Sequence, residues 1–307
     1  MSQSESAPSP PADARHGVTF AFAAYLLWGL MPLYLKLIMD VPALQIVAHR
    51  LVWSLVLIVI IVLAMGRLRG IRLALQARGT FALLALSATL IANNWLIYTW
   101  AVLNGHVLEA SLGYFINPLV NVALGVLFLK EKLRPVQGMA VGLAGCGVLL
   151  MLVAQGGTVW LSIALAVSFG LYGLVRKIVA IDALGGLAVE TSLLGPIALA
   201  WLCWSAVAGD GVFGQDRSTD LLLMAGGIIT AAPLLLFAAA ARRMRYATLG
   251  LVQYLTPTLV FFQGVFLFGQ KLTTLHMITF GLIWIGLAIY AIDSLRAGRA
   301  TPVTVPE

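Results

Sequence analysis

Within a long apolar run, Tyr114, Asn117 and Asn121 recur at i, i+3 and i+7, so a helix there carries all three on one face. Such a face can hydrogen-bond a polar solute or a neighbouring helix. Pro118 lacks an amide proton and would leave the carbonyl of Tyr114 without its helical partner, adding an acceptor to the same stripe. A later run offers Gln253, Thr256 and Gln263 beside Tyr254 and Pro257. A third holds Asn93, Asn94, Trp95, Tyr98 and Trp100, where Asn94 and Tyr98 share a face at i, i+4. Trp28, Phe169 and Tyr172 add rings. Polar groups inside apolar runs are costly in lipid unless they face a bundle interior or a wet cavity. As interhelical packing they are worth about 0.6 kcal/mol each. Read as a cavity lining, Trp28, Asn94, Tyr98, Trp100, Tyr114, Asn117, Phe169, Tyr172 and Gln253 make an aromatic, amphipathic and nearly uncharged site. Such a site suits a small molecule with a ring or apolar body and a few hydrogen-bonding groups.

Four charged or titratable residues are candidates for gating or coupling: His49, Arg50, Glu109 and Glu190. Glu109 and Glu190 are each expected to begin a helix, where a carboxylate offsets the macrodipole and caps free amides. Arg50 lies near the start of a span, the unfavourable end of a helix dipole for a cation, which calls for a compensating partner. A pair between Arg50 and Glu109 sealing one vestibule is one expectation, and snorkelling of Arg50 to headgroups is the other. His49 can titrate near neutral pH or act as a hydrogen-bonded bystander.

The elements that hold these residues follow from composition. Of 307 residues, 61% are apolar and 10% charged, with a mean hydropathy of +0.98; soluble domains run at about 25% charged. That excludes a water-soluble globule. Ten apolar runs are long enough to cross roughly 30 Å of hydrocarbon as helix: 17–36, 44–66, 79–101, 107–129, 135–154, 159–177, 187–207, 220–241, 246–268 and 274–294. The runs are continuous, not alternating, which selects helices over a barrel. The expected fold is an all-α membrane protein of ten transmembrane helices.

Positive charge orients it. Arg15; Arg67, Arg69, Arg72 and Arg78; Lys130, Lys132 and Arg134; Arg176 and Lys177; Arg242, Arg243 and Arg245; and Arg296 and Arg299 fall in alternate breaks, whereas the other breaks hold only Lys36, Arg217 and Lys271. Both termini are therefore expected in the cytoplasm, with 1–16 a disordered tail that lacks the basic start of a signal peptide and 295–307 a second tail. The net charge of +7 does not point to nucleic acid, because the basic residues are dispersed between apolar runs.

The halves resemble each other. Pro118, Gly125, Val126, Lys132 and Leu133 line up with Pro257, Gly264, Val265, Lys271 and Leu272, and Trp28-Gly29 with Phe169-Gly170, at offsets near 140 residues. A repeat of five helices enters the membrane from the opposite side in its second copy, giving inverted-topology repeats over 17–154 and 159–294 with a substrate site between them.

The stretches Tyr25-Leu-Leu-Trp28-Gly29, His49-Arg50-Leu-Val-Trp53, Leu108-Glu109 through Asn117-Pro118, Tyr172 through Lys177, and Lys130-Glu131-Lys132-Leu133 resemble the EamA branch of the drug/metabolite transporter superfamily, of RarD type. The resemblance spans about 17–294 and implies a multi-pass carrier of the bacterial plasma (inner) membrane, with amino acids, related metabolites or drugs as exported substrates. Gln270 departs from it, standing where the pattern has a Glu equivalent to Glu131.

No metal or cofactor is expected. His49 and His106 are isolated, His276 begins the last run, and Cys146 and Cys203 sit in apolar stretches without ligand spacing. No Ser/His pair or facing carboxylate set supports an enzyme, and no break has room for an ATPase domain. The expected partners are a small-molecule substrate and the lipid bilayer, with the oligomeric state left open. Export of neutral amino acids with aromatic or hydrophobic side chains, without obligatory ion coupling, stands against proton-coupled drug export. A receptor gives no reason for two inverted halves.

Overall fold

A computed structural model describes residues 12–130, 134–155, 159–241 and 252–300, and among them every regular element is a helix. In chain order these are α1 (Ala12–Gly29), α2 (Met31–Leu37), α3 (Ala43–Ala64), α4 (Leu68–Leu75), α5 (Thr80–Leu103), α6 (Val107–Leu129), α7 (Pro135–Gln155), α8 (Val159–Ile178), α9 (Ala183–Ala208), α10 (Arg217–Ala241), α11 (Leu255–Phe266) and α12 (Thr274–Ala300). Among the described residues, six helical stretches are long and apolar enough to cross a bilayer: His16–Leu37, Ala43–Ala64, Thr80–Leu103, Val159–Arg176, Ala183–Ala208 and Arg217–Phe237. The other four expected spans coincide with α6, α7, α11 and α12, where Pro135–Leu150, Leu255–Phe266 and Thr274–Gly286 are apolar but shorter. Glu131, Lys132, Leu133, Arg242, Arg243, Arg245 and the opening of the ninth expected span lie outside the described residues.

Local chemistry explains the boundaries. The first span breaks at Leu30 because Pro32 occupies the first turn of α2. There the amide of Leu33 bonds Leu30 O at 3.0 Å, so Gly29 O is free to accept from Gln263 Nε2 of α11 at 2.6 Å. Pro257 falls in the first turn of α11, where its missing amide costs no helical bond, and the helix begins at Leu255. Gln253 therefore precedes α11 and does not continue the stripe of Thr256 and Gln263. Asp182 caps α9 by accepting from the amide of Gly185 at 3.0 Å. Asp216 accepts from the amide of Thr219 at 2.7 Å at the start of α10, contacts that hold its carboxyl below the usual range. The basic break after α3 contains the short helix α4, none of whose residues is buried.

The helices pack as α1 on α10 and α11, α3 on α9 and α10, α5 on α8, α3 and α9, α6 on α8 and α11, and α7 on α12. Small residues permit the tightest approaches. A Cβ at Gly113 of α6 would stand 2.9 Å from Ser162 O of α8, and one at Gly286 of α12 would stand 2.7 Å from Ala140 O of α7. The central core draws Tyr34, Leu35, Ile46, Tyr98, Leu165 and Leu223 together from five helices. The outer surface is apolar, with Leu127, Phe266 and Val207 well exposed, as a lipid-facing perimeter requires.

Candidate substrate-binding site

The middle of the bundle holds polar atoms that have no hydrogen-bond partner among the described residues. Asn94 of α5 is fully buried; its Nδ2 donates to Leu165 O and Ser168 Oγ of α8, both at 2.9 Å, while its Oδ1 accepts nothing among the described residues. One turn on, the Tyr98 hydroxyl is buried and has no partner among the described residues. Asn117 of α6 has 0% exposure, and neither atom of its amide has a hydrogen-bond partner among the described residues. A buried amide without a hydrogen bond costs roughly 1–3 kcal/mol, so a hydrogen-bonding guest at these atoms would recover part of that cost.

Beside them runs a line of rings. Tyr98 lies 5.4 Å from Tyr114, Tyr114 lies 6.2 Å from Phe169, and Phe169 lies 5.9 Å from Tyr172 between centroids. The first two contacts bridge α5 to α6 and α6 to α8. Tilted and edge-on ring pairs at these separations are worth about 0.5–1.5 kcal/mol beyond burial. A planar guest would find faces and edges there, with Asn94 and Asn117 alongside.

Arg50 alters the electrostatics expected of this centre. Its side chain, at 2% exposure, neither snorkels to headgroups nor meets Glu109. The Nε donates to Thr230 Oγ1 of α10 at 2.9 Å, and the guanidinium lies 4.9 Å from the Trp95 ring centroid. Gly226 makes room for the stem, since a Cβ there would stand 3.0 Å from Arg50 Cγ. Tyr34, Tyr98 and Tyr114 lie within electrostatic reach. Arg50 makes no salt bridge, and one terminal nitrogen has no partner among the described residues. The site is thus not nearly uncharged. The effective penalty for a buried ion is several kcal/mol, and one hydroxyl plus a desolvated cation–π contact of about 2 kcal/mol offsets only part of it.

The remaining expected residues fall elsewhere. Glu109 does begin α6, where its carboxylate meets His106 Nδ1 at 3.5 Å, so the expected Arg50–Glu109 pair does not form. Glu190 does not begin a helix; Asp182 caps α9, and Glu190 sits two turns inside it at 3% exposure. There it accepts from Ser87 Oγ of α5 and lies 3.7 Å from Arg176 Nη1 of α8, while Arg67 pairs with Asp182 nearby. His49 is buried, stacks 5.1 Å from Phe213, and its Nε2 has no partner among the described residues. Trp28 joins Tyr25 and Phe237 in a separate cluster between α1 and α10. Trp100 is 41% exposed and stacks on His106 at the end of α5, away from the ring line.

Two bonds by Gln270 show what that departure accomplishes. Its Oε1 accepts from the amide of Leu108 at 2.8 Å and its Nε2 donates to Gly105 O, tying the loop after α11 to the start of α6. A carboxylate could make only the first. Sequence reasoning missed Trp95 and Thr230 as partners of Arg50 and Arg176 as the partner of Glu190. Thr230 is 180 residues from Arg50, so no local spacing could reveal it. Among the described residues no group of His, Cys, Asp or Glu could hold a metal ion.

Comparison with known proteins places this geometry. The profile of the EamA-like transporter family matches residues 15–153. An uncharacterised transporter of Pseudomonas aeruginosa is 46% identical over 95% of this chain and 98% of its own length. Protein RarD of Escherichia coli is 46% identical over 94% and 98%, and a chloramphenicol-sensitive protein RarD of Pseudomonas aeruginosa is 32% identical over 92% and 96%. One solved crystal structure, 19% identical, covers 90% of this chain and 97% of its own with a TM-score of 0.59, which shows a shared fold. Full-length similarity to transporters, carried by an all-helical fold with membrane-crossing helices, makes this chain a membrane transporter and not an enzyme: it is a RarD-like member of the EamA-like transporter family.

Proposed function

We propose that the protein exports small neutral amphipathic metabolites, foremost amino acids with aromatic or hydrophobic side chains, by alternating access of two inverted five-helix repeats, 17–154 and 159–294. The observation that carries this reading is the buried centre, where Asn94, Tyr98 and Asn117 keep polar atoms without partners among the described residues beside the rings of Tyr114, Phe169 and Tyr172. Amides can meet an ammonium and carboxylate, and rings can hold an apolar side chain. Neither contact is strong, so an affinity near millimolar, about −4 kcal/mol, is expected, which suits relief of a cytoplasmic excess.

The packing supports two repeats. With α1 and α2 counted as one span, advancing each span by five turns α1 on α10 into α8 on α5, α1 on α11 into α8 on α6, and α3 on α10 into α9 on α5. The contacts α3 with α9, α6 with α11 and α7 with α12 map onto themselves. The family profile, at residues 15–153, covers the first proposed repeat alone. An odd number of helices per repeat inverts the second copy, and rocking of one half against the other then exposes the centre to each side in turn. The excess of Lys and Arg in alternate breaks supports both termini in the cytoplasm of a protein seated in the inner membrane. No ion gradient, ATPase subunit or cofactor is required; the metabolite's own gradient drives export. The oligomeric state does not enter this scheme.

The test is uptake and counterflow of a labelled amino-acid panel in proteoliposomes, at equal and at stepped pH. Saturable flux of neutral amino acids without an imposed gradient is the expected result. The name of the 32% identical relative favours a second reading, drug export; extrusion of lipophilic drugs driven by a pH step, with no flux of any amino acid, would establish that reading instead.

A further inference from the structure

We propose that Arg50 is the anchor for a carboxylate of the transported solute, and that this carboxylate, not an ammonium, is the group the site requires. The inference rests on the transport reading above and names the chemistry of its substrate. Arg50 is buried, donates to the hydroxyl of Thr230, lies over Trp95 and keeps one terminal nitrogen without a partner among the described residues. Guanidinium is permanently charged and presents a planar fork that fits a carboxylate through two parallel bonds. A desolvated cation of this kind needs an anion, and among the described residues the protein supplies none.

The repeat sharpens the contrast. At the offset near 140 that relates the halves, Arg50 falls on Glu190, and each bonds a hydroxyl of a repeat-related helix, Thr230 of α10 for Arg50 and Ser87 of α5 for Glu190. Glu190 is neutralised within the fold by Arg176. Among the described residues Arg50 has no such counter-ion, so of two equivalent buried charges it is the one that a ligand's anion can still meet. A single cation flanked by phenols and an indole fits a monoanion with an aromatic or apolar body. A phosphate dianion would need further positive charge that no neighbour of Arg50 provides. Tyr98 and Tyr114, within electrostatic reach of Arg50, also begin the ring line, so a solute held by its carboxylate at Arg50 would have aromatic faces near for its apolar end.

The experiment compares 3-phenylpropionate, which has the carboxylate but no amine, with phenylalaninamide, which has the amine but no carboxylate, as inhibitors of phenylalanine counterflow in proteoliposomes of the full chain. Inhibition by 3-phenylpropionate, with the amide weaker by more than about tenfold, is expected. Equal or better inhibition by the amide overturns the anchor while leaving amino-acid transport standing. Should no phenylalanine flux occur, thermal unfolding of the purified protein in nanodiscs decides separately. Stabilisation by 3-phenylpropionate that is lost in Arg50→Gln and partly kept in Arg50→Lys supports the anchor although the amino-acid reading has failed. Absence of stabilisation in the wild type, or its retention in Arg50→Gln, overturns the anchor. The ligand series on the wild type separates these outcomes even if a substituted protein does not fold.

Discussion

Gly113 is where packing and site meet, and replacing it with Ala gives a quantitative test of how α6 and α8 position the rings. A Cβ there would stand 2.9 Å from Ser162 O, 3.0 Å from Leu165 Cβ and 3.2 Å from Ser162 Cα. Two of these atoms are backbone, so relief requires the helices to part by a few tenths of an ångström. That movement stretches the bond from Ser162 Oγ to Glu109 O, now 2.6 Å, and separates Tyr114 from Phe169. Overpacking of this kind costs about 1–3 kcal/mol. Gly-to-Ala in a helix also returns about 0.5–1 kcal/mol of backbone entropy, so Gly113→Ala alone would understate the clash. Gly142→Ala supplies the reference, because a Cβ at Gly142 meets nothing within 4 Å in the helical α7. The difference between the two variants, about 1–3 kcal/mol, isolates the overpacking. Reversible unfolding in detergent measures it, and substrate affinity should fall in Gly113→Ala while remaining unchanged in Gly142→Ala. Equal stability of the two, with wild-type affinity in both, would refute the close α6–α8 contact as the frame of the site.

Asn117→Ala removes two buried atoms that have no partners among the described residues, so it should leave stability unchanged or raised while slowing counterflow more than Glu190→Gln does. Glu190→Ala strands Arg176 beside a vacated site and should cost about 3–5 kcal/mol, with the Arg176→Ala/Glu190→Ala double variant recovering much of the loss in a double-mutant cycle; additive single effects would deny the pair. Reporter fusions within Arg67–Arg72 and within Asp210–Asp220 should signal opposite sides of the membrane, and the same signal from both would overturn the topology. With the exposed Cys146 and Cys203 first replaced by Ala, cysteines at Tyr98 and Asn117 should react with aqueous thiol reagents during turnover, and inertness at both would mean that the stripes only pack.

What the sequence reveals is what depends on local periodicity. Long apolar runs mark the helices, and the i, i+3 and i, i+4 spacings of Tyr114 with Asn117 and of Asn94 with Tyr98 place residues that the fold gathers at its centre. Pro32 and Pro257 act locally too, yet their effect on boundaries depends on where each helix can start without losing a bond. Long-range pairing is different in kind. Arg50 finds Thr230 across 180 residues and Arg176 finds Glu190 across a helix boundary; only the cost of a buried charge indicates that some partner must exist, and it does not say which. On sequence grounds Glu109 is as good a partner for Arg50 as Thr230. Trp100 shows the converse, a ring in a polar stretch that packs against His106 at a helix end.

The most direct test of the transport account is counterflow of labelled phenylalanine into proteoliposomes preloaded with the unlabelled amino acid, without any pH or ion gradient, for the wild type and Asn117→Ala side by side. The account predicts saturable exchange by the wild type with a half-saturation near millimolar and a clear reduction in the variant. Absence of exchange by the wild type for phenylalanine and every other neutral amino acid, together with extrusion of lipophilic cations driven by a pH step, would contradict it.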